Sequence, residues 1–499
     1  MTATTEPATP AAVAAARPLN QAPGMTTPAA IGRELLRIRR DPIRALELAA
    51  ERYDRRPFQL SATGASPTLF INDAAGAKDV LLTNQSDYVK SSQYELLHRM
   101  LGHGLVTSEG ELWREHRSIV QPHFAKRALA PFALSMAAAT REVLDRWGAT
   151  LSDGDTIDLN EEMSALTLDI VGRALVGTDF SARSSEFARA LTGMLDATCV
   201  MGRSPITQIA GSFERVGVSR AMRMQPRSNQ RMHAAVDVLD EIVLEVIARR
   251  RHEAGEHDDL LATLMSYRHP ETGRPLSDTE VRDELMTFVT AGHETTANGL
   301  SWMWGLLSQH PAARDQLLAE VDTLLGGRTP TADELDRLAW TTACFQESMR
   351  LYPPVWMLQR RAKVATVAAG YALPAGAIVS ISPWIIHRDP QHWPNPAGYD
   401  PRRFIGDAPK RRPRLAFLPF GAGRRMCIGQ GFAMMEATII AAMMSQRYTF
   451  DLTPTSRLDT EPGVTLRPRD GLKVFVSRRR PAAAASSGPA IGVPNGATT

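Results

Sequence analysis

The sequence predicts a mainly α-helical fold with a small β region (α+β), and three observations predict it. The first is a central helix without interruption. Ser277 follows Pro275 and Leu276 and has Glu280 three residues on, the pattern of a capping box. From there Val281, Glu284, Leu285, Phe288 and Val289 keep helical spacing, and no proline intervenes before Pro311. At 1.5 Å per residue that span is roughly 50 Å, enough to cross a domain. The second is the number of further helical stretches, over 133–147, 160–176, 228–252, 312–325, 331–351 and 429–446. The third is how few strand signals remain. Residues 58–63 and 68–71 read as a hairpin, and 377–382 follows a Pro-Ala-Gly turn. Residues 464–466 and 472–476 flank Arg469-Asp470-Gly471 and read as a second hairpin.

Composition bounds the rest. The chain has 499 residues, 43% of them apolar, which suffices for a large core. Residues 1–28 are rich in Ala, Thr and Pro and read as a disordered leader; 481–499 read as a tail of the same kind. Between them, 29–480 reads as one domain without linker or repeat. The net charge of +3 names no partner, and the basic residues are nearly all Arg, so nucleic acid is not expected. No apolar run reaches the ~20 residues of a membrane span, and no signal peptide is legible, so a cytoplasmic protein without membrane anchor is expected.

Cys199, Cys344 and Cys427 are too far apart and too few for a disulfide framework or a close-spaced metal knuckle. Cys199 and Cys344 lie in helical patterns and read as small buried apolar residues. Cys427 is different. It sits in Phe420-Gly421-Ala422-Gly423-Arg424-Arg425-Met426-Cys427-Ile428-Gly429, just before a helix. Helix N-termini favour thiolate over thiol, as does a neighbouring Arg. Gly423 and Gly429 permit close backbone approach to a flat ligand.

This loop resembles the haem-binding signature of the cytochrome P450 family: Phe420, Gly423, Arg425, Cys427 and Gly429 fill all its specified positions. The resemblance implies a cytochrome P450 fold with its long central helix over a haem b. Cys427 would be the iron ligand, and Arg425 would pair with a haem propionate.

Ala291-Gly292-His293-Glu294-Thr295-Thr296 lies inside the central helix. Gly costs ~1 kcal/mol in a helix interior, which suggests that something approaches Gly292 closely. Alone, Glu294 and Thr295 read as an ordinary polar face. Beside the cysteine loop they resemble the family's oxygen-activation motif. That implies catalytic roles: Thr295 hydrogen-bonds dioxygen and its water, and Glu294 relays protons. His293 has no role in the motif.

Glu347 and Arg350 show a Glu-x-x-Arg spacing that also occurs at Glu34/Arg37, Glu111/Arg114, Glu186/Arg189, Glu271/Arg274 and Glu334/Arg337. An exposed helical ion pair is the ordinary explanation. The following Leu351-Tyr352-Pro353-Pro354, and Pro401-Arg402-Arg403-Phe404 downstream, resemble the family's context for this pair. Glu347, Arg350 and Arg403 would then form a buried structural network bracing the cysteine loop. Arg402 stands where the family usually has Glu. Trp113 and Arg117 fit the family's Trp-x-x-x-Arg pattern, one helical turn apart, and would reach a propionate. Arg360 or Arg361 would hold the other; Arg361 is favoured, with the register open. The motifs occur in family order over roughly 30–478.

The resemblance implies a soluble, bacterial-type monooxygenase. It would insert one oxygen atom from O2 into an apolar small molecule such as a fatty acid, a terpenoid or another lipophilic natural product. No reductase segment is legible, so electrons would come from a separate ferredoxin-type or flavodoxin-type protein, docking on the Arg-rich face near Arg424. A monomer is expected. Pocket residues would come from 92–105, from 191–225 with Met194, Met201, Met222 and Met224, and from 355–358, although the methionines also read as ordinary core. Three alternatives carry different requirements. A peroxygenase has no need of Glu294 and Thr295, an isomerase or dehydratase needs no reductant, and a haem sensor or carrier needs no proton relay.

Overall fold

The structure is a computed structural model; it describes residues 9–479 apart from 62–65, 178–182, 203, 205–206, 208–224, 254–256 and 258. Its axis is the central helix, Asp278–Gln309, 32 residues long. The Ser277 hydroxyl accepts from the Glu280 amide, and the Glu280 carboxylate accepts from the Ser277 amide, so the capping box forms. The helix stops at His310 because Pro311 starts the next one, Pro311–Leu325. Nearly every residue from Val281 to Leu307 is buried, whatever its helical face. The helix therefore threads the core. Packed on it are Leu159–Val171, Ala339–Leu351, Gln430–Arg447 and Pro226–His252.

The other expected helices form with shifted ends. Residues 133–147 belong to Lys126–Thr150, and 228–252 to Pro226–His252. The 160–176 stretch is α-helical only over Leu159–Val171 and closes in a wider turn, Gly172–Val176. The 331–351 stretch splits into a 3-10 turn, Ala332–Arg337, and a helix, Ala339–Leu351.

Phe58–Leu60 and Thr68–Ile71 pair antiparallel as expected. They join a six-stranded sheet in the order Gly24–Met25, Phe58–Leu60, Thr68–Ile71, Ile378–Ile381, Leu358–Ala362, Tyr88–Lys90. The second expected hairpin does not form. Gly463 donates its amide to Thr465 O (2.8 Å), so the chain reverses there and Leu466–Pro468 pairs with Thr460–Pro462. Lys473–Arg478 instead joins Tyr448–Leu452 and Thr156–Asp158, because that placement buries Val474 and Val476.

The leader expectation is corrected for residues 9–28. Thr9 caps a short helix, Pro10–Ala15, and Arg17–Pro18 pairs parallel with Tyr371–Ala372. Leu19, Ala22 and Met25 are buried. These apolar residues are sparse, but at spacings of three they all land on the sheet, and the strand edges supply backbone partners. The tail at 481–499 lies outside the described residues. Among the described residues no helix is long and apolar enough to cross a membrane.

Candidate functional site

The cysteine loop is built before its helix. The Cys427 amide donates to Phe420 O (2.9 Å), and Gly429 is the N-cap of Gln430–Arg447, so the sulfur stands just ahead of the helix start. Phe420 packs into the main core. The two glycines act differently from each other. Gly423 has φ +72, and a Cβ there would lie 2.0 Å from Leu81 O, so it is needed for docking on the 79–83 turn. Beside it, the Arg424 amide donates to Gln85 Oε1 (2.9 Å). Gly429 has an ordinary φ of −83. Its contribution is an amide directed at the Cys427 sulfur. Protein encloses Cys427 on all sides, yet its side chain opens onto interior space. Burial pushes its thiol up, against the pull of the Gly429 amide and Arg117. The helix terminus alone does not hold a thiolate here; a bound cation would.

Two contacts fix what lies opposite. Gly429 abuts Phe124, whose ring stacks on Phe288 of the central helix (5.5 Å). Nine residues after Cys427, Glu436 faces Thr296 of the same helix. Between Phe288 and Thr296 the central helix exposes Ala291 and part of Thr295, within a stretch otherwise nearly all buried. The opening is a gap in the cover of the central helix, which packs against the helix that follows Cys427. Gly292 does not line it closely. A Cβ there would meet Val171 Cγ2 at 3.0 Å, so Gly292 serves helix–helix packing, and small Ala291 leaves the opening. Thr295 donates its hydroxyl to Ala291 O (2.8 Å), which leaves its lone pairs for the gap. Glu294 is buried, and burial raises its pKa against the pull of Thr465 and Arg467. His293 is buried with both ring nitrogens unpartnered and its pKa pushed down to about 4 by burial. It packs as a neutral ring.

At one edge lies a cluster of cations. Arg425 stacks over the Trp113 ring (3.9 Å to its centroid), donates to Ser108 O (3.1 Å) and pairs with Glu109. Arg117, one turn beyond Trp113 on Gly110–Val120, donates to Met426 O (3.3 Å). Burial lowers the Arg425 pKa to about 10. The expected Arg361 is corrected to Arg360. Side chains alternate along Leu358–Ala362, and Arg360 (9% exposed) lines the cleft of about 480 Å³ that holds Trp113, Arg424 and Arg425. Lys90 joins them. It donates to Leu105 O (3.4 Å) and Ser108 O (3.0 Å), and burial together with Arg425 lowers its pKa to about 7. Sequence reasoning missed Lys90 because no short motif contains it.

Glu347 pairs with both Arg350 and Arg403. Glu347 and Arg350 are both 0% exposed and paired at 2.7 Å; in each of the other Glu-x-x-Arg spacings at least one partner is partly or fully exposed. All five donor positions of Arg350 are used: two on Glu347, and the others on His387 O (3.0 Å), Pro396 O (2.7 Å) and Gly398 O (2.8 Å). Arg403 reaches Glu347 at 3.3 Å and Asn395 O at 3.0 Å. The link to the cysteine loop is His387, which sequence reasoning missed. Its Nε2 accepts from the Leu418 amide (2.9 Å), two residues before Phe420. A second buried pair was also missed: His116 Nδ1 and Glu284 Oε1, 2.6 Å apart, tie the Trp113 helix to the central helix. Burial opposes charge on His116, but Glu284 overrides it and raises the pKa.

The donor set suits a haem. One enclosed sulfur is available as a ligand, and a cationic rim matches the carboxylates of such a group. Comparison with known proteins gives the same answer: the family model for cytochrome P450 matches residues 23–474. This chain belongs to the cytochrome P450 family. It is 39% identical over 408 residues to a putative cytochrome P450 132 of Mycobacterium bovis, covering 79% of this chain and 84% of that one. It is 34% identical over 387 residues to a cyclooctat-9-en-7-ol 5-monooxygenase of Streptomyces melanosporofaciens, covering 77% and 79%. Among solved structures it resembles the haem domain of cytochrome P450DA, with a TM-score of 0.78 and 27% identity over 89% of this chain and 94% of that one. The fold is thus the P450 fold, the cofactor is a haem, and the enzyme class is monooxygenase.

Proposed function

We propose that this P450 uses haem b and hydroxylates an apolar cyclic small molecule of the terpenoid type, with electrons from a separate ferredoxin-type or flavodoxin-type donor. The observation that supports the reading is a solvent-accessible Cys427 just ahead of a helix packed on the central one, with the cations Arg117, Arg360 and Arg425 close by. When bound, the haem supplies oxygen activation. Cys427 would supply the sulfur ligand, and Lys90, Arg117, Arg360 and Arg425 would hold the carboxylates of the group. Thr295 offers its hydroxyl oxygen to the gap, and Glu294 holds a proton near it. The substrate class is supported by the relative named for 5-monooxygenation of cyclooctat-9-en-7-ol. The methionine pocket finds no support: Met194 and Met201 are fully buried in the core, while Met222 and Met224 lie outside the described residues. Trp356 donates to Gly463 O (3.1 Å) and packs against a side core, so it too is held in place.

The donor docks, in this reading, on the surface around exposed Arg424. Arg424→Ala lowers the electron-transfer rate and flattens its salt dependence; an unchanged rate and salt slope refute the docking site. Thr295→Ala with a reconstituted redox chain tests the chemistry. The variant should keep consuming reductant while product per reductant falls about tenfold or more. Full product from peroxide alone, with Thr295→Ala unaffected, refutes the monooxygenase mechanism in favour of peroxide-driven turnover.

A further inference from the structure

A second group of cations adjoins the Glu347 network. Pro401–Phe404 and Ala408–Arg411 are two 3-10 turns, and with the 391–400 loop they wall a cleft of about 420 Å³. Its lining includes Arg402, Arg403, Arg411 and Arg412, and Asp400 is its one carboxylate among the described residues. It shares no lining residue with the cleft beside Trp113. Its volume falls within the ~300–1,000 Å³ of small-molecule sites.

Charge does not balance here. Asp400 is spent on Arg402, which it meets at 2.8 and 3.1 Å. Glu347 is shared by Arg350 and Arg403, two cations on one buried carboxylate. Arg412 donates to Arg403 O (2.7 Å) and lies over the rings of Trp393 (4.2 Å) and Phe404 (5.5 Å). These contacts hold its guanidinium in place without neutralising it. Burial and the charges of Arg403 and Arg350 pull its pKa down, against the pull of Glu347. Neighbouring Lys410 is matched by Asp407, but no carboxylate of the described residues forms an ion pair with Arg411 or Arg412. Arg402 adds to the imbalance, because it puts a positive charge where the family usually has the negative charge of Glu.

We propose that this cleft binds the phosphoryl groups of a phosphate ester, and that the bound group supplies the negative charge that the Glu347 network lacks. Guanidinium forks match the oxygens of a phosphate, and a multiply charged anion suits several arginines at once. Arg412 is preorganised by its two rings, while exposed Arg402 and Arg411 are free to close on the ligand from the rim. Arg403 links the cleft to Glu347. An anion between Arg403 and Arg412 offsets their mutual repulsion. Occupancy therefore steadies the 387–398 segment that accepts from Arg350, and with it His387, which holds the Leu418 amide ahead of the cysteine loop.

The test uses the full-length, haem-loaded protein and sodium pyrophosphate as the probe, at constant ionic strength. Calorimetric titration should show saturable binding to the wild type, weakened about tenfold or more in Arg402→Glu and in Arg411→Ala. Arg424→Ala, on the other cleft, should bind as the wild type does. Arg402→Glu restores the residue that the family usually carries and so suits the fold, which circular dichroism checks. Pyrophosphate should slow haem transfer to an apoprotein acceptor about twofold or more in the wild type and leave it unchanged in Arg402→Glu. Displacement of pyrophosphate by ATP identifies a soluble ester, and displacement by vesicles of phosphatidic acid and phosphatidylcholine identifies a lipid headgroup; either supports the site. Absence of saturable binding, equal affinity in wild type and Arg402→Glu, or binding that neither ATP nor the vesicles displace overturns it. Binding that leaves haem transfer unchanged overturns its coupling to the Glu347 network.

Discussion

Replacing His387 by Gln should make the protein less sensitive to acid. The His387 ring is fully buried, and its pKa is pushed down to about 3 by burial, helped by the nearby Arg350 and Arg388 charges. It must stay unprotonated on Nε2 to accept from the Leu418 amide. The unfolded chain has an ordinary histidine there, near 6.5. Above that value both states are neutral and pH has no effect through this group. Below it the unfolded state binds a proton that the folded state refuses, so stability falls as pH drops, until the folded pKa is reached. The slope approaches about 1.4 kcal/mol per pH unit below that value, and the change between pH 6.5 and 4.5 is about 2.3 kcal/mol. Gln keeps an acceptor for Leu418 and has no proton to gain. Denaturant unfolding of wild type and His387→Gln at several pH values checks this: the difference in stability between them should shrink or reverse by about that amount on acidification. Parallel pH profiles would refute the reasoning. His387→Ala is the companion case. It orphans the Leu418 amide and leaves a cavity, which should cost about 3 kcal/mol or more at neutral pH and loosen the cysteine loop.

Two further outcomes follow from the same geometry. Arg350→Lys keeps the charge but has three donors where five are used, so buried acceptors on Glu347 and the 387–398 segment lose partners; about 3–5 kcal/mol and much of the haem content should be lost, read by unfolding and by absorbance. Arg360→Ala should speed haem transfer to an apoprotein acceptor about tenfold, whereas Arg361→Ala should change it little; equal effects would restore the opposite strand register.

The sequence made the signature-bearing parts of the site legible because their residues are close together in the chain. The Cys427 loop, Glu294–Thr295 and the Glu347–Arg350 pair are each local patterns. The central helix was legible for another reason: its capping box and lack of proline are local rules that the core does not override. What failed depended on distant partners. Leu466–Pro468 chose Thr460–Pro462 over the downstream segment because the reversal at Gly463 came first. Leu19, Ala22 and Met25 looked too sparse to order a leader until a sheet edge offered them cover. Lys90 and His387 act on partners that belong to no short motif with them, and no spacing rule points to them. The choice between Arg360 and Arg361 needed the strand's facing, which only its pairing with Ile378–Ile381 and Tyr88–Lys90 supplies.

The central claim is that Cys427 is the haem's sulfur ligand. The direct measurement is the absorption spectrum of the reduced protein under carbon monoxide, for wild type and for Cys427→Ser. The account predicts a strongly red-shifted Soret band in the wild type that is lost in the variant, while circular dichroism shows both folded. A well-folded, haem-supplied wild type without that band, or a variant that retains it, would contradict the assignment.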